Sequence, residues 1–355
     1  MRCGSRPRGF VLVLVLAMLV ILSALAATIA LTADRVRREE SQRQAELQAA
    51  IAMASTRATV LYLLTTQRMT FGGLTVDDRV VRSLDERAAQ RQGEDPTSLM
   101  PVGNEIRLDG TAYDAGAARF SLQDDRGLLS VNWASPLVLQ GLLDQRPVEG
   151  GPALGTLVNL LLDYQDRDNL YRLGSAEAAG YRERGLPPPT NRALVTPMEL
   201  RAVIGWERVL SAWDDVELLD VTSVSRNPAI NVNTATVPVL DALPGVDAAM
   251  AQRLVDARQL QPFISQAALA PFLGAAAAGE DGLSLYPSAS GTLRLWAPDG
   301  GSVQVMHWTL TPYDDGGRPW REDYEFTIAR ADDLDARPAR APQAAVLGRA
   351  GPPAR

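Results

Sequence analysis

Three aspartates, Asp163, Asp166 and Asp168, fall within LLDYQDRDNLYRLGSAEAAGY, and Glu177 follows close behind. Carboxylates at steps of three and two repel one another unless water, a basic partner or a metal ion compensates them. Hard oxygen donors in such a pattern suit calcium. The plainer alternative is a solvated loop with Arg167 and Arg172 as partners. The loop is not an EF-hand, because it lacks that motif's glycine and its final glutamate at the right step. Asp314 and Asp315 are a weaker candidate and read as a turn, as do Asp124 and Asp125 before Arg126-Gly127. His307 is the only histidine. It sits in VQVMHWTL, a strand pattern, and no motif supplies it with a nucleophile and an orienting acid. No catalytic residue and no cofactor-binding motif is assigned, and the expectation is that the protein is not an enzyme. The six tryptophans read as core or interface.

Composition narrows the chemistry further. The 355-residue chain holds 42 acidic and 35 basic residues, a net charge of −7. Loss of the first nine residues, with their three arginines, would leave 42 acidic against 35 − 3 = 32 basic residues, a net charge of −10. That balance disfavours nucleic acid as the main partner. Every basic residue is arginine, which rules out a Schiff-base lysine and a phosphate-loop lysine. Cys3 is the only cysteine and lies in the leader, so the rest of the chain offers no disulfide, zinc cluster or thiol nucleophile.

A weak repeat marks the middle of the chain. MELRAVIGWE (Met198 to Glu207) aligns with PVLDALPGVD (Pro238 to Asp247), and SQAALAPFLG is a fainter third copy. Each reads as a short amphipathic helix stopped by glycine. The stretch Ile230 to Arg258 resembles a helix-hairpin-helix. Asn233 or Thr234 would cap a helix through Leu243, Pro244-Gly245 would make the hairpin, and a second helix would bury Ala248, Ala251, Leu254 and Val255. In DNA-binding versions a second glycine follows two residues after the first; here Asp247 stands there, and a carboxylate at the phosphate site opposes binding. The motif therefore reads as a packing unit.

The elements that must position these groups begin with a membrane-length helix. Phe10 to Ala33 carries no charge and no proline and would span about 36 Å as a helix, enough for a hydrocarbon core of about 30 Å. The leader before it carries Arg2, Arg6 and Arg8 and no acid, which places the N-terminus on the cytoplasmic side. Three readings compete: a plain anchor, a secretory signal peptide cut after Ala24-Leu25-Ala26, and a prepilin-type leader cut between Gly9 and Phe10. With no proline or glycine from Phe10 to Gln67, a single helix is expected, its second half burying Leu47, Ile51, Ala54, Ala58 and Leu61. Strand patterns follow at Glu105 to Leu108 and Thr111 to Tyr113 (a hairpin around Asp109-Gly110), Ala118 to Gln123, Thr292 to Ala297, Ser302 to Thr311 across the turn Pro298-Asp299-Gly300-Gly301, and Asp323 to Ala329. The fold class is α+β: a long N-terminal helix packed on an antiparallel sheet, with a large all-α domain inserted between strands. From Arg337 the Pro-, Ala- and Arg-rich chain reads as a disordered tail.

The order of several blocks then carries a resemblance. The leader and helix precede SLQDDRGLLSVN, LLDYQDRDN, GSAEAAGY, NRALVTPMELRAVIG and INVNTATVPVLDALPG. The chain resembles the minor pseudopilin K family of type II secretion systems (general secretion pathway protein K) over most of residues 8 to 330. The INVNTA block is shared with membrane-anchored DNA receptors of competence systems. The resemblance implies a non-enzymatic, pilin-like filament subunit that caps and primes a periplasmic pseudopilus for protein export. It divides the chain into a prepilin leader (1–9), the N-terminal helix (10–66, transmembrane over 10–33), a pilin-like sheet in two parts (67–125 and 281–335), an inserted helical domain (126–280) and a tail (336–355). It implies cleavage by prepilin peptidase after Gly9 and methylation of the new amine on Phe10. The implied partners are minor pseudopilins I and J, with H as a further candidate, and the inner-membrane assembly platform. The implied location is the inner membrane, single-pass, with the N-terminus cytoplasmic and the C-terminal domain periplasmic. Calcium is bound in the family, which points to Asp166, Asp168 and Glu177. Most pilin-like subunits carry glutamate at mature position five to neutralise a neighbour's terminal amine; Leu14 stands there, as suits a subunit with none above it. The alternatives are a membrane-anchored helix-hairpin-helix DNA-binding protein and a secreted enzyme. The loop Leu173 to Pro189 and the arginine-rich tail fall outside the family pattern.

Overall fold

The computed structural model describes residues 9–77, 99–116, 118–133, 135–277, 282–298, 300–312, 317–329 and 339–340. Two units divide the chain, Met1–Ala52 and Met53–Arg355. The first unit is the greater part of α1 (Gly9–Thr66), one helix of 58 residues. Nothing in residues 10–66 breaks its hydrogen-bond ladder, since proline and glycine are absent there. The helix is long and apolar enough to cross a membrane, and its apolar side chains from Val11 onward are exposed. Within that stretch the Thr28 and Thr32 hydroxyls donate to the carbonyls of Leu25 and Thr28, at 2.8 and 2.6 Å. Polar groups in hydrocarbon need such internal partners. Ion pairs one turn apart, Arg35 with Glu39 and Arg38 with Asp34, then mark the polar part of the helix.

In the second unit, α1 from Met53 lies on a sheet. Its buried face is Thr56, Val60, Leu61, Leu63 and Leu64, with Met53 half-buried. This corrects the face expected from sequence: Leu47, Ile51, Ala54 and Ala58 are exposed, and only Leu61 belongs to the core. The periodic alanines could not reveal the true stripe, because small residues fit either a packed or a solvated face. Arg57 fixes the helix from the side, donating to both carboxylate oxygens of Glu325 at 2.9 and 3.2 Å and pairing with Glu322 at 2.7 Å.

Strands β1 (Met69–Thr70), β2 (Gly73–Thr75) and β3 (Glu105–Ile106) form a small antiparallel sheet. Strands β4 (Asp109–Asp114) and β5 (Arg119–Asp124) follow and belong to the main sheet. The hairpin expected at Asp109-Gly110 is therefore absent, since β3 and β4 lie in different sheets. Asp109 accepts from the Thr111 amide and hydroxyl, at 3.2 and 2.5 Å, and Gly110 has φ +79°. That local turn produces a register shift inside β4 instead of a chain reversal.

The insert leaves β5 through a single 3₁₀ turn, Asp125–Gly127, and returns just before the next long strand. It contains β6 (Leu129–Ser130), α2 (Pro136–Asp144), α3 (Leu154–Gln165), α4 (Ala178–Glu183), α5 (Trp206–Val209), α6 (Asp215–Val221), β7 (Thr222–Ser223), β8 (Ile230–Asn231), α7 (Val237–Asp241), α8 (Ala248–Leu260), α9 (Ala270–Ala277) and β9 (Leu283–Ser284). It is thus helical apart from two parallel two-residue pairings, β6 with β7 and β8 with β9. The insert has its own core, running from Leu129 through Trp206 and Leu240 to Leu285.

The chain then completes the main sheet with β10 (Ser290–Ala297), β11 (Gly300–Leu310) and β12 (Trp320–Ile328), while β13 (Ala339–Arg340) pairs parallel with β4. The spatial order is β12-β11-β10-β5-β4-β13. Strand alternation splits its faces. Leu293, Leu295, Met306, Trp308, Phe120 and Leu122 meet α1. The other face mixes Trp296, Val303 and Val305 with buried polar Ser121, Gln123, Thr292, Arg294 and His307. Residues 1–8 of the leader, Asp299 of the expected turn and the pair Asp314-Asp315 lie outside the described residues, as does the 336–355 tail except at β13.

Candidate ion site and buried polar junction

Helix α3 ends in the acidic loop. Asp163 lies on its buried face and is fully shielded from solvent. Its carboxylate accepts from the Arg172 amide at 2.9 Å, from the Arg172 guanidinium and from the Ser175 hydroxyl. Burial works against the charge, yet these donors outweigh it and hold the Asp163 carboxyl below the usual range. The Arg172 guanidinium also bonds Asp166, and the two carboxylates keep its proton more firmly than usual. Asp168 is exposed and accepts from the Leu170 amide at 2.8 Å.

Glu177, just before α4, is the odd member. It is 1% exposed, and neither carboxylate oxygen has a partner. Burial pushes its carboxyl up, and the charges of Asp163, Asp166 and Asp168 push it further against the pull of Arg172. One oxygen of Asp166 is likewise buried and unpartnered. The structure thus gathers the four acids of the sequence cluster, Asp163, Asp166, Asp168 and Glu177, into one electrostatic neighbourhood. Among the described residues, no three acidic, histidine or cysteine side chains converge closely enough to hold a metal ion. Arg172 stands between the carboxylates instead. The donor chemistry is nonetheless of the kind calcium takes: carboxylate oxygens, those of the buried Glu177 among them without a partner.

A second carboxylate cluster joins the insert to the sheet. Asp124, at the end of β5, is completely buried. One oxygen accepts from Asn231 Nδ2 and the Thr234 hydroxyl, at 3.0 and 2.8 Å. The other accepts from the Ser288 amide and hydroxyl, at 2.8 and 2.7 Å, and from the Arg126 amide at 3.3 Å. Burial pushes the Asp124 carboxyl up, with the bonds from Ser288, Thr234 and Asn231 opposing. Asn233 clips the next layer, donating to the carbonyls of Phe263 and Leu285 at 2.8 and 2.7 Å and accepting from the Phe263 amide at 2.8 Å. The INVNTA block is therefore a set of buried fasteners. A side chain at Gly127 would run into the Thr234 carbonyl, so only glycine lets the two segments approach.

These roles correct the expected helix caps. Asn233 and Thr234 spend their side chains on the junction, and α7 starts later, at Val237 after Thr236. The hairpin itself forms, with Gly245 at φ +77°. Asp247 caps α8, accepting from the Met250 amide at 2.7 Å, and so occupies the amide end a phosphate would need. Ala251, Leu254 and Val255 are buried as expected, whereas Ala248 is exposed. Arg258 is buried and donates to the carbonyls of Val232 and Ala235. In the first copy of the repeat, Gly205 precedes α5 instead of ending a helix.

Between the sheet and the insert lies a cavity of about 550 Å³, bordered by Arg146, Trp213, Glu217, Asp220 and Arg294. Its charges neutralise one another: Arg146 grips Glu217 with two bonds of 2.6 Å and lies 4.4 Å from the Trp213 ring, and Arg294 pairs with Asp220 at 2.6 Å. Asp125, read from sequence as a turn residue, accepts from His307 and from Ser290. The sequence placed His307 in a strand, as found in β11, but no motif marked its face or its partners. Gly9 and Phe10 open α1, and Leu14 is exposed along it at 53%.

The family model described as type II secretion system (T2SS), protein K, matches residues 230–285. That span begins at β8 and includes the helical hairpin and β9. No curated protein matches the chain. Among solved structures, it is similar to a chain in the crystal structure of the GspK-GspI-GspJ complex from the enterotoxigenic Escherichia coli type 2 secretion system. The identity is 16% and the TM-score 0.46, over 83% of this chain and 100% of that one.

Proposed function

We infer that this chain serves as protein K of a type II secretion system, a minor pseudopilin of the pilus-like apparatus that drives protein export. The observation that carries this is one of arrangement. The segment matching protein K, residues 230–285, sits inside a helical insert between β5 and β10 of a sheet that packs on a long N-terminal helix. That helix starts with a stretch fit to cross a membrane. The protein acts through assembly and not through chemistry on a substrate.

In this reading, α1 anchors the protein in the inner membrane with the basic leader cytoplasmic and the rest periplasmic. Prepilin peptidase cuts after Gly9, and Phe10 becomes the methylated N-terminus. Minor pseudopilins I and J are the direct partners, H a further one, and the assembly platform receives the complex. Leu14 leaves nothing to neutralise a terminal amine from above, which suits the tip. Calcium is held by Asp166, Asp168 and Glu177; bound there, it would supply the positive charge that the buried Glu177 lacks. DNA binding is disfavoured by the Asp247 cap and by the burial of Arg258.

Mass analysis of the mature N-terminus from a host carrying its own peptidase tests the reading. N-methylated Phe10 is expected, together with co-purification of I and J through the full-length chain. A mature terminus at Ala27 would make the apolar helix a discarded signal and end the assembly role.

A further inference from the structure

The face of the sheet turned toward the insert carries one group that assembly at the tip does not use. His307, on β11, is 4% exposed. Its Nδ1 lies 2.8 Å from Asp323 Oδ2 on β12, and its Nε2 lies 3.1 and 3.0 Å from the two oxygens of Asp125. A neutral imidazole has one N–H and one lone pair, so one of the two carboxylates would face a lone pair. Only the imidazolium donates to both. The surroundings are arranged for that state. Asp323 also accepts from the Thr309 hydroxyl and from Arg321 Nε, each at 2.6 Å, and Asp125 accepts from the Ser290 hydroxyl at 2.5 Å.

Asp125 is the first residue of the turn by which the chain leaves the sheet for the insert. Its neighbour Asp124 binds Asn231 and Thr234 of the insert. A continuous polar path therefore runs from the insert through Asp124, Asp125, His307 and Asp323 to the strand β12. We propose that His307 is a pH-sensitive fastener: as an imidazolium it ties the root of the insert to the sheet, and alkali releases that tie by removing its proton.

The charges facing the ring are few. From β12 come Asp323, Arg321 through Asp323, and Tyr324, whose ring stacks on the imidazole at 4.9 Å. From the turn comes Asp125, and from β10 comes Arg294, itself paired with Asp220. The remaining charges of β12 beside it, Glu322 and Glu325, are held by Arg57. Burial alone would strip the ring of its proton, but Asp125 and Asp323 outweigh it and push the His307 pKa up to about 9. Asp323 is held well below the usual carboxylate range, burial being outweighed by bonds from His307, Thr309 and Arg321. The tie is thus at full strength below the ordinary histidine value, weakens as pH rises, and is lost through about 9. Tyr324 does not share the transition, because burial pushes its hydroxyl well above its ordinary value.

His307 is the only histidine in the chain, so the full-length protein, purified in detergent through a tag without histidine, gives one set of ring signals. Nitrogen-15 NMR should find both ring nitrogens protonated at about pH 7.5, with a titration midpoint near 9. A single neutral tautomer at neutral pH would overturn the proposal. The melting temperature should fall as pH rises from the ordinary histidine value to about 9 in the unmodified protein and stay level over that range in His307→Gln; parallel curves would overturn it. Should His307→Gln fail to fold, Asp323→Asn serves instead: the ring midpoint should move down toward the ordinary histidine value, and an unmoved midpoint would show that the second carboxylate has no hold on the proton.

Discussion

Asp124 and Glu177 are both carboxylates buried beyond the reach of water, and they are treated in opposite ways. Asp124 receives five donors from four residues. Glu177 receives none, and its nearest charges are three other acids and one arginine already shared between two of them. A buried charge met by several donors fixes segments distant in sequence; a buried carboxylate left bare either takes up a proton or is neutralised by a cation from outside. The first arrangement is complete within the chain. The second is left open to a proton or to a cation, and the proposed calcium reading rests on that difference.

The comparison can be broken most directly at Asp124. Asp124→Ala would leave the donors of Asn231, Thr234 and Ser288 buried without an acceptor, at a cost of about 3–5 kcal/mol. Chemical denaturation of the soluble part or of the whole chain should show that loss, and a cost under about 1 kcal/mol would mean that water replaces the carboxylate freely. Glu177→Gln should act in the opposite direction without a cation. Because burial and like charges raise its pKa, the folded chain binds a proton more readily than the unfolded chain there, so the cation-free fold gains stability as pH falls from neutral. Glu177→Gln should abolish that gain and melt at or above the unmodified protein in chelator. Calcium in hundredfold excess over its dissociation constant should add about 2.7 kcal/mol to the unmodified protein and nothing to the variant. A chelator that leaves the unmodified melting temperature unmoved would remove the ion site.

What the sequence disclosed follows the same division. The long helix, the antiparallel strands and the helical insert were legible because proline and glycine are absent from residues 10–66 and because β10 and β11 alternate cleanly. The acidic loop was legible as a run of local carboxylates. The junction was not: Asp124 and Asp125 looked like an ordinary turn, and their partners lie 107 to 182 residues away. Periodicity and local motifs report contacts within one element and carry no trace of such distant pairings. The helix face was misplaced for a related reason, since Thr56 faces the core where an alanine pattern had suggested Ala54 and Ala58.

Two smaller effects sharpen the contrast. Asp247→Ala removes the cap of α8 and should cost about 1 kcal/mol. If the hairpin is a packing unit, freeing those amides should not produce salt-sensitive DNA binding in a shift assay; such binding would revive the DNA-binding alternative. Asp168→Asn should be milder still in chelator. Asp168 is exposed and its one described bond, from the Leu170 amide, can be kept by the asparagine oxygen. If Asp168 is nonetheless one of the calcium ligands, the variant should lose part of the calcium-dependent rise in melting temperature while its chelated baseline stays within about 0.5 kcal/mol. An unchanged calcium response would confine the ion to Asp166 and Glu177, with Asp163 as the remaining carboxylate within reach, and would require Arg172 to yield its place between them.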